Sequence, residues 1–168
     1  MRARSEAKVT DLRDGASAGL TIRPADRGEV AAIVAMIASD SIGGHGDTGD
    51  PQALPDYLAA FDRIAASPND SLYVALLGDD VVGTFQATLI TTLLGRGASL
   101  MRVAAVHTRP DLRGRGIGAA MMRHAIEVAR SAGAASVQLT SNAGRTDAHR
   151  FYERLGFQRS HAGFKLKL

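Results

Sequence analysis

Apolar residues recur along this chain with two spacings, and each spacing predicts one type of element. A short apolar run at residues 20–23 predicts a strand. Residues 26–39 and 51–66 each carry apolar side chains at helical spacing, and the first of these segments begins with the capping residue Asp26. The Gly-rich segment between them, residues 41–51, predicts a mobile loop. The chain is therefore expected to open with a strand followed by two helices.

Three further runs predict a meander of antiparallel strands. Residues 72–77 and 81–89 are rich in β-branched and other apolar side chains, and the Gly-Asp-Asp turn between them is typical of a hairpin. Residues 100–108 predict a third strand, which a Gly-Arg-Gly turn at residues 95–97 separates from the second.

The last part of the chain alternates between helices and strands. A helical pattern begins at Ile117, and it is followed by a strand pattern at residues 135–140 and a short helix at residues 147–155. Residues 161–168 alternate as in a half-buried strand. A meander combined with strand–helix–strand units predicts an α/β (α+β) fold with one mixed, mostly antiparallel sheet flanked by helices.

Length and composition narrow the class of protein. The 168 residues fit a single domain, which we place at residues 20–168 behind a flexible tail at residues 1–19. The absence of cysteine excludes disulfides, Cys-ligated zinc and a thiol acyl-enzyme, and the histidines lack metal-ligand spacing, so no metal is expected. No apolar run is long enough to cross a membrane and no secretory signal pattern occurs, so we expect a cytoplasmic protein without a membrane partner.

The charge of the chain is informative mainly through its distribution. The net charge is only +3, but six arginines lie between Arg102 and Arg130, opposed by two acidic residues. Such a local positive field suits a polyanionic small ligand. A nucleic-acid partner is not expected, because dense basic tracts are missing and aromatic residues make up only 5% of the chain.

One segment joins a strand to a helix in a way that suits an anion. Gly114, Gly116 and Gly118 lie between the third meander strand and the helix that follows it. Amides at a helix N-terminus have no internal partner and carry partial positive charge, and glycine lets the backbone approach a phosphate closely. Arg113 and Arg115 add fixed positive charge. The segment is therefore predicted to bind a diphosphate.

Two common phosphate-binding loops do not fit this segment. A P-loop ends in Gly-Lys-Ser/Thr, whereas Ala119 and Ala120 follow the last glycine here. A Rossmann loop needs a different glycine spacing and an acidic residue after the next strand, where this chain has Thr140 and Ser141. Considered without its arginines and the downstream motif, the glycine triplet would indicate an ordinary strand-to-helix turn.

Two motifs in this order resemble the GCN5-related N-acetyltransferase (GNAT) family. Residues 113–118, RGRGIG, match that family's Arg/Gln-x-x-Gly-x-Gly/Ala signature, and residues 148–157, AHRFYERLGF, look like its carboxyl-terminal segment. The resemblance covers about residues 20–168. It implies an acetyl-CoA-dependent N-acetyltransferase that transfers an acetyl group to a primary amine, of a small molecule or a peptide, by direct attack in a ternary complex.

The resemblance also implies roles for particular residues. Tyr152 matches the family's tyrosine that protonates the departing CoA thiolate. The strand before the loop would splay from its neighbour, so that its backbone pairs with the pantetheine arm and one amide polarises the thioester carbonyl. The residues expected to bind CoA are Val106, His107, Thr108, Arg113, Gly114, Arg115, Gly116, Ile117, Gly118, Ala119, Asn142 and Arg145.

Two of these residues carry alternatives. Asn142 would bond the pantetheine or the substrate, or it would form a turn with Gly144. Arg145 stands where the family often has asparagine, and we expect it to reach the CoA phosphates instead.

The chain departs from the family at the general base. Many members carry a glutamate at the position of Ala104, and residues 102–106 contain no carboxylate. His107 lies nearby, but regular alternation puts it with Ala105 on the face opposite Val106, which argues against it as the base. The proton acceptor is therefore left unassigned, and a non-catalytic acyl-CoA-binding module is the alternative function.

Two further predictions concern the loop before the second helix and the predicted last strand. The loop before the second helix carries His45, Asp47 and Asp50, and the resemblance places substrate-selecting residues there. Its acidic side chains would attract a cationic amine, or they would form an ordinary solvated loop. The predicted last strand would be available to pair across a homodimer.

Overall fold

A computed structural model describes residues 19–40 and 46–166 of the chain. The strands are β1 (Leu20–Pro24), β2 (Asp70–Leu77), β3 (Asp80–Thr91), β4 (Ser99–Thr108) and β5 (Ser136–Leu139). The helices are α1 (Val30–Ala38), α2 (Leu54–Ala66), the single turn α3 (Leu94–Gly97), α4 (Ile117–Ser131) and α5 (Thr146–Arg154). The predicted tail up to residue 18, and His45 of the predicted loop, lie outside the described residues.

The five strands form one sheet in the order β1-β2-β3-β4-β5. The pairings from β1 to β4 are antiparallel, and β5 pairs with β4 in parallel. The first four strands are therefore a meander, and α4 is the crossover that a parallel β4–β5 pair requires. This arrangement confirms the predicted mixed, mostly antiparallel sheet flanked by helices.

The main core lies between one face of the sheet and α4. Ile117, Met121 and Ala125 recur every four residues along α4, and all three are buried. They belong to the same apolar cluster as Phe85 of β3 and Val103 of β4. The helix that carries the glycine segment at its start is thus fixed to the two central strands by its apolar face.

A smaller apolar cluster covers the opposite face of the sheet. Ile33 of α1 packs against Val74 and Leu76 of β2. The end of α1 consequently lies on the face of the sheet that α4 does not cover, and this placement matters for the site described below.

The predicted carboxyl-terminal strand is wrong for the part of it that the structure describes. Residues 161–166 form no strand, and the side chains of Phe164 and Leu166 are 97% and 85% exposed. An alternating pattern forms a strand only when a neighbouring edge offers backbone partners, and local sequence cannot supply that edge. Within residues 19–40 and 46–166, no helix is both long and apolar enough to span a bilayer.

Replacing Phe85 by alanine is expected to lower the free energy of unfolding by about 3–5 kcal/mol. The ring is fully buried and stacks on Tyr73 with a centroid distance of 4.7 Å, so its removal leaves a cavity under α4. Phe164→Ala is the matched control, because the same change at an exposed ring should stay within about 0.5 kcal/mol. Denaturant unfolding of both variants measures the difference, and equal losses would contradict the described core.

Candidate active site

The glycine segment follows β4 and opens α4. Gly114 and Gly116 have φ angles of 77° and 83°, in the left-handed region that favours glycine. No atom outside the adjacent residues lies within 4 Å of the position that a Cβ on either glycine would occupy. The loop therefore leaves open space above its backbone.

The start of α4 presents unpaired amides to that space. Ala120 N donates to Gly116 O at 2.9 Å, which is the first hydrogen bond of the helix. The amides of the three preceding residues, including Ile117 and Gly118, have no acceptor within the helix and carry the positive end of its dipole. The buried side chain of Ile117 fixes the direction of this turn. The geometry suits a phosphate or diphosphate.

The two arginines of the segment lie on its exposed side. Arg113 Nε donates to Thr108 O at 3.4 Å, which ties the loop to the end of β4, and Arg115 is exposed. Both side chains therefore place positive charge close to the amides of α4.

The helix α5 packs directly against this loop. A Cβ on Gly118 would lie 3.4 Å from the ring of Phe151. Phe151 in turn packs edge-on against Tyr152, with a centroid distance of 5.0 Å. The predicted acid Tyr152 thus belongs to the helix that contacts the predicted phosphate loop.

The strand β4 loses one of its two neighbours before it ends. Its pairing with β5 stops at the pair Val103–Leu139, whereas its pairing with β3 continues to Thr108. Among the described residues, no strand pairs with the β5-facing edge of β4 from residue 104 to 108. β5 itself ends at Leu139, so the splay of the two strands stays a prediction of the resemblance. Backbone groups at the open edge of β4 are available to an extended ligand.

A bulge interrupts β4 at the start of this open edge. The register pairs Gln86 with Ala104 and Thr84 with His107, so Phe85 lies opposite two residues instead of one. Ala105 has a φ angle of 49°, an uncommon conformation for a residue with a side chain. The bulge re-aims every side chain that follows it.

The predicted orientation of His107 needs correction because of this bulge. Thr84 and Gln86 are two residues apart and share one face of the sheet, so their partners His107 and Ala104 share that face as well. Regular alternation would have put these two residues on opposite faces. His107 therefore projects on the side on which the family's missing carboxylate would stand.

His107 meets a buried acidic residue that the sequence analysis did not identify. Asp40 follows α1, and its side chain is only 8% exposed. Asp40 Oδ2 lies 3.6 Å from His107 Nδ1 and accepts a hydrogen bond from Arg145 Nη2 at 2.5 Å. Three segments far apart in sequence thus meet at one carboxylate.

A signal for Asp40 was present in the sequence. An acidic residue at the carboxyl end of a helix lies next to the negative end of the dipole, which is unfavourable unless a cation is near. The position of Asp40 directly after the α1 pattern therefore called for a basic partner. The identity of that partner, Arg145, depends on the tertiary fold.

The titration behaviour of His107 follows from this environment. Burial lowers its pKa below the usual value of 6.5, and the negative charge of Asp40 opposes this effect. The positive charges of Arg145 and Arg113 lower the pKa further, and Asp47 opposes them. The imidazole is consequently neutral at neutral pH and able to accept a proton.

Tyr152, in contrast to His107, is able to donate a proton. Burial raises the pKa of its phenol above the usual value of 10, and the charge of Arg145 only opposes this shift. The hydroxyl therefore keeps its proton at neutral pH and is able to donate it. Arg145 acts electrostatically on both His107 and Tyr152, which places the guanidinium near both groups.

The remaining predicted residues have other partners in the structure. Asn142 Oδ1 accepts from Gly144 N at 2.9 Å, so this side chain forms the turn that was one of its two predicted roles. Arg145, which is predicted to reach the CoA phosphates, forms an ion pair with Asp40. Asp50 accepts from Gln52 N at 2.9 Å and caps the turn before α2. Within the described ranges, no three His, Asp or Glu side chains gather as a metal site.

Comparison with known proteins agrees with the geometry. The sequence profile of the Acetyltransferase (GNAT) family matches residues 45–157, which include both motifs. The aminoalkylphosphonate N-acetyltransferase of Salmonella typhimurium (strain LT2) is 36% identical over 112 residues, which cover 65% of this chain and 72% of that protein.

Solved structures show the same fold. A transcriptional regulator from Bacillus halodurans C-125 superimposes with a TM-score of 0.86 at 36% identity, and the alignment covers 89% of this chain and 99% of that one. The glucosamine-6-phosphate N-acetyltransferase from Arabidopsis thaliana superimposes with a TM-score of 0.73 over 88% of this chain and 97% of its own. At 14% identity, the second likeness concerns the fold alone.

Gly116→Ala is expected to weaken the binding of acetyl-CoA by about tenfold or more, because a Cβ would enter the space above the α4 amides. Gly133→Ala is the matched control: Gly133 follows the other end of the same helix with a φ angle of 70°. Both changes should lower the free energy of unfolding by about 1–2 kcal/mol through left-handed strain. Calorimetric titration measures the affinity of each variant for acetyl-CoA. Equal affinities would exclude this loop as the anion site.

Proposed function

Since this chain belongs to the Acetyltransferase (GNAT) family, we propose that it transfers an acetyl group from acetyl-CoA to a primary amine by direct attack within a ternary complex. This proposal rests on the contact between the glycine loop and the helix α5. The glycine loop, which suits a diphosphate, packs through Phe151 against the helix that bears Tyr152. An anion site and a proton donor therefore lie on neighbouring elements.

The residues of the chain fit CoA from its diphosphate to its thioester. The α4 amides, Arg113 and Arg115 would hold the diphosphate. The open edge of β4 from residue 104 onward would pair with the amide-containing pantetheine arm, as an added strand pairs with a sheet edge. An amide of this edge would also stabilise the negative charge that develops on the thioester oxygen. Acetyl-CoA supplies the activated acetyl group.

Tyr152 would act as the general acid. A thiolate leaves more readily when a donor gives it a proton, and the buried phenol keeps its proton at neutral pH. The ring packs edge-on against Phe151 and Phe157, with centroid distances of 5.0 and 5.9 Å. These contacts limit the movement of the Tyr152 side chain.

We propose a small primary amine as the acceptor. The relative from Salmonella typhimurium is named for aminoalkylphosphonates, which carry an ammonium and an anionic group. Acidic and basic side chains, Asp40 and Arg145, lie beside the open edge of β4. A panel for the first assay therefore includes aminomethylphosphonate, 2-aminoethylphosphonate, a polyamine, an aminoglycoside and lysine.

A second candidate function is binding of acyl-CoA without turnover. The absence of a carboxylate at Ala104 favours it, since the family resemblance implies a general base at this position. The retained Tyr152 argues against it, because a binding module needs no proton donor for the leaving thiolate. Release of free thiol from acetyl-CoA in the presence of the amine panel decides between the two.

Tyr152→Phe is expected to lower kcat by about 10²- to 10⁴-fold, the range typical of a lost general acid. Tyr73→Phe is the matched control, because burial also raises the pKa of Tyr73 and its ring stacks on Phe85 in the core. Thiol release is measured for both variants at saturating acetyl-CoA. Unchanged turnover in Tyr152→Phe would remove the tyrosine from the mechanism, and no thiol release by the unmodified protein with any amine would overturn the proposed function.

A further inference from the structure

We propose that His107 is the general base that deprotonates the acceptor amine, with Asp40 and Arg145 as its positioning residues. This inference rests on the acetyl transfer proposed above. It assigns the proton acceptor that the alanine at position 104 cannot provide.

The imidazole of His107 faces a carboxylate. Nδ1 lies 3.6 Å from Asp40 Oδ2, which is longer than a hydrogen bond, so the carboxylate acts on the neutral ring through its charge. A carboxylate on this side favours the proton on Nδ1, which leaves Nε2 as the basic nitrogen. The side chain is 16% exposed, so a proton can still leave for solvent.

The carboxylate of Asp40 is held in place by a guanidinium. Arg145 Nη2 donates to the same Asp40 oxygen at 2.5 Å, and both side chains are mostly buried. A buried carboxylate paired with a guanidinium keeps its charge and its position. The carboxylate that faces His107 is therefore held by an ion pair between the residue after α1 and the segment before α5.

His107 lies on β4 next to the position of the absent carboxylate. The bulge at Ala105 puts this side chain on the face of Ala104, the position at which the family resemblance implies a general base. The same bulge lies at the start of the open β4 edge, where the thioester is expected. An amine entering from the α1 side of the sheet would reach the imidazole before the thioester.

The charges around His107 keep the imidazole unprotonated. The groups that act on it are Asp40 after α1, Asp47 before α2, Arg113 in the glycine loop and Arg145 before α5. Burial has the largest effect and lowers the pKa. A base that is neutral at pH 7 while its acid partner, Tyr152, stays protonated is the arrangement that proton transfer in both directions requires.

The protons and bonds balance in this scheme. The ammonium of the acceptor gives one proton to Nε2 of His107, and the freed electron pair forms the C–N bond at the acetyl carbon. As the C–S bond breaks, the Tyr152 hydroxyl gives its proton to the departing sulfur. The acetylated nitrogen then gives its second proton to the Tyr152 oxygen, and His107 releases its proton to solvent.

The test compares His107→Gln with His161→Gln, a change at an exposed histidine that contacts Ser160. The probe is acetyl-CoA with the most active amine of the panel, and kcat/KM for the amine is measured from pH 5.5 to 9.5. We expect His107→Gln to lose about 10²- to 10⁴-fold at pH 7. Its profile should rise with a slope of one up to the pKa of the amine, whereas the unmodified protein should reach a plateau near neutral pH. The dissociation constant of acetyl-CoA should not change.

A second measurement does not depend on turnover. NMR titration of the imidazole protons, assigned by comparison with His107→Gln, should give a pKa for His107 below 6.5 in the unmodified protein. In Asp40→Asn the amide oxygen still accepts from Arg145, but the negative charge that raises the pKa of His107 is lost. The pKa of His107 and the acidic limb of kcat/KM should then both move to lower pH.

The outcomes separate this inference from the function on which it rests. An active protein in which His107→Gln keeps its rate and its plateau would exclude His107 as the base while leaving acetyl transfer in place. An unmodified protein without thiol release would overturn both. Loss of activity together with loss of acetyl-CoA binding in His107→Gln would also reject the assignment, because a base acts after the ternary complex has formed.

Discussion

Backbone groups of a strand need partners, and the second half of β4 has them on only one side. The pairing with β5 ends at Val103, while the pairing with β3 continues to Thr108. Because β5 is the last strand of the described sheet and ends at Leu139, this difference leaves a gap along the edge of β4. In the proposed function, a linear, amide-containing ligand would fill this gap as an added strand, and its reacting end would lie next to side chains from both faces.

The two faces of the sheet contribute different chemistry to this gap. Tyr152 packs with the cluster that includes Met121 of α4, on one side of the sheet. His107 projects to the other side, where Asp40 follows α1. The proposed acid and base therefore approach the gap from opposite directions, and Arg145 influences both.

The sequence predicts those parts of the molecule whose causes are local. The spacing of apolar residues and the turn residues predicted the order of the elements from β1 to α5, the glycine loop, and Gly133 after α4. The bulge at Ala105 escaped prediction because it arises from the register with β3, and it reverses the expected face of His107. The contacts of Asp40 with His107 and Arg145 escaped because they depend on the tertiary fold. The alternation at residues 161–166 predicted a strand whose partner edge the local sequence could not guarantee.

The contact between Asp40 and Arg145 also has a consequence for the order of events in folding. Its partners are separated by 105 positions along the chain, so closing this contact carries a large loop-closure entropy. The hairpin between β2 and β3 involves near neighbours and closes much smaller loops. Contacts of high sequence separation slow folding, so secondary structure and the core under α4 should appear in refolding before the His107 cluster does. Recovery of the arrangement around Asp40 would then mark the completion of the native state.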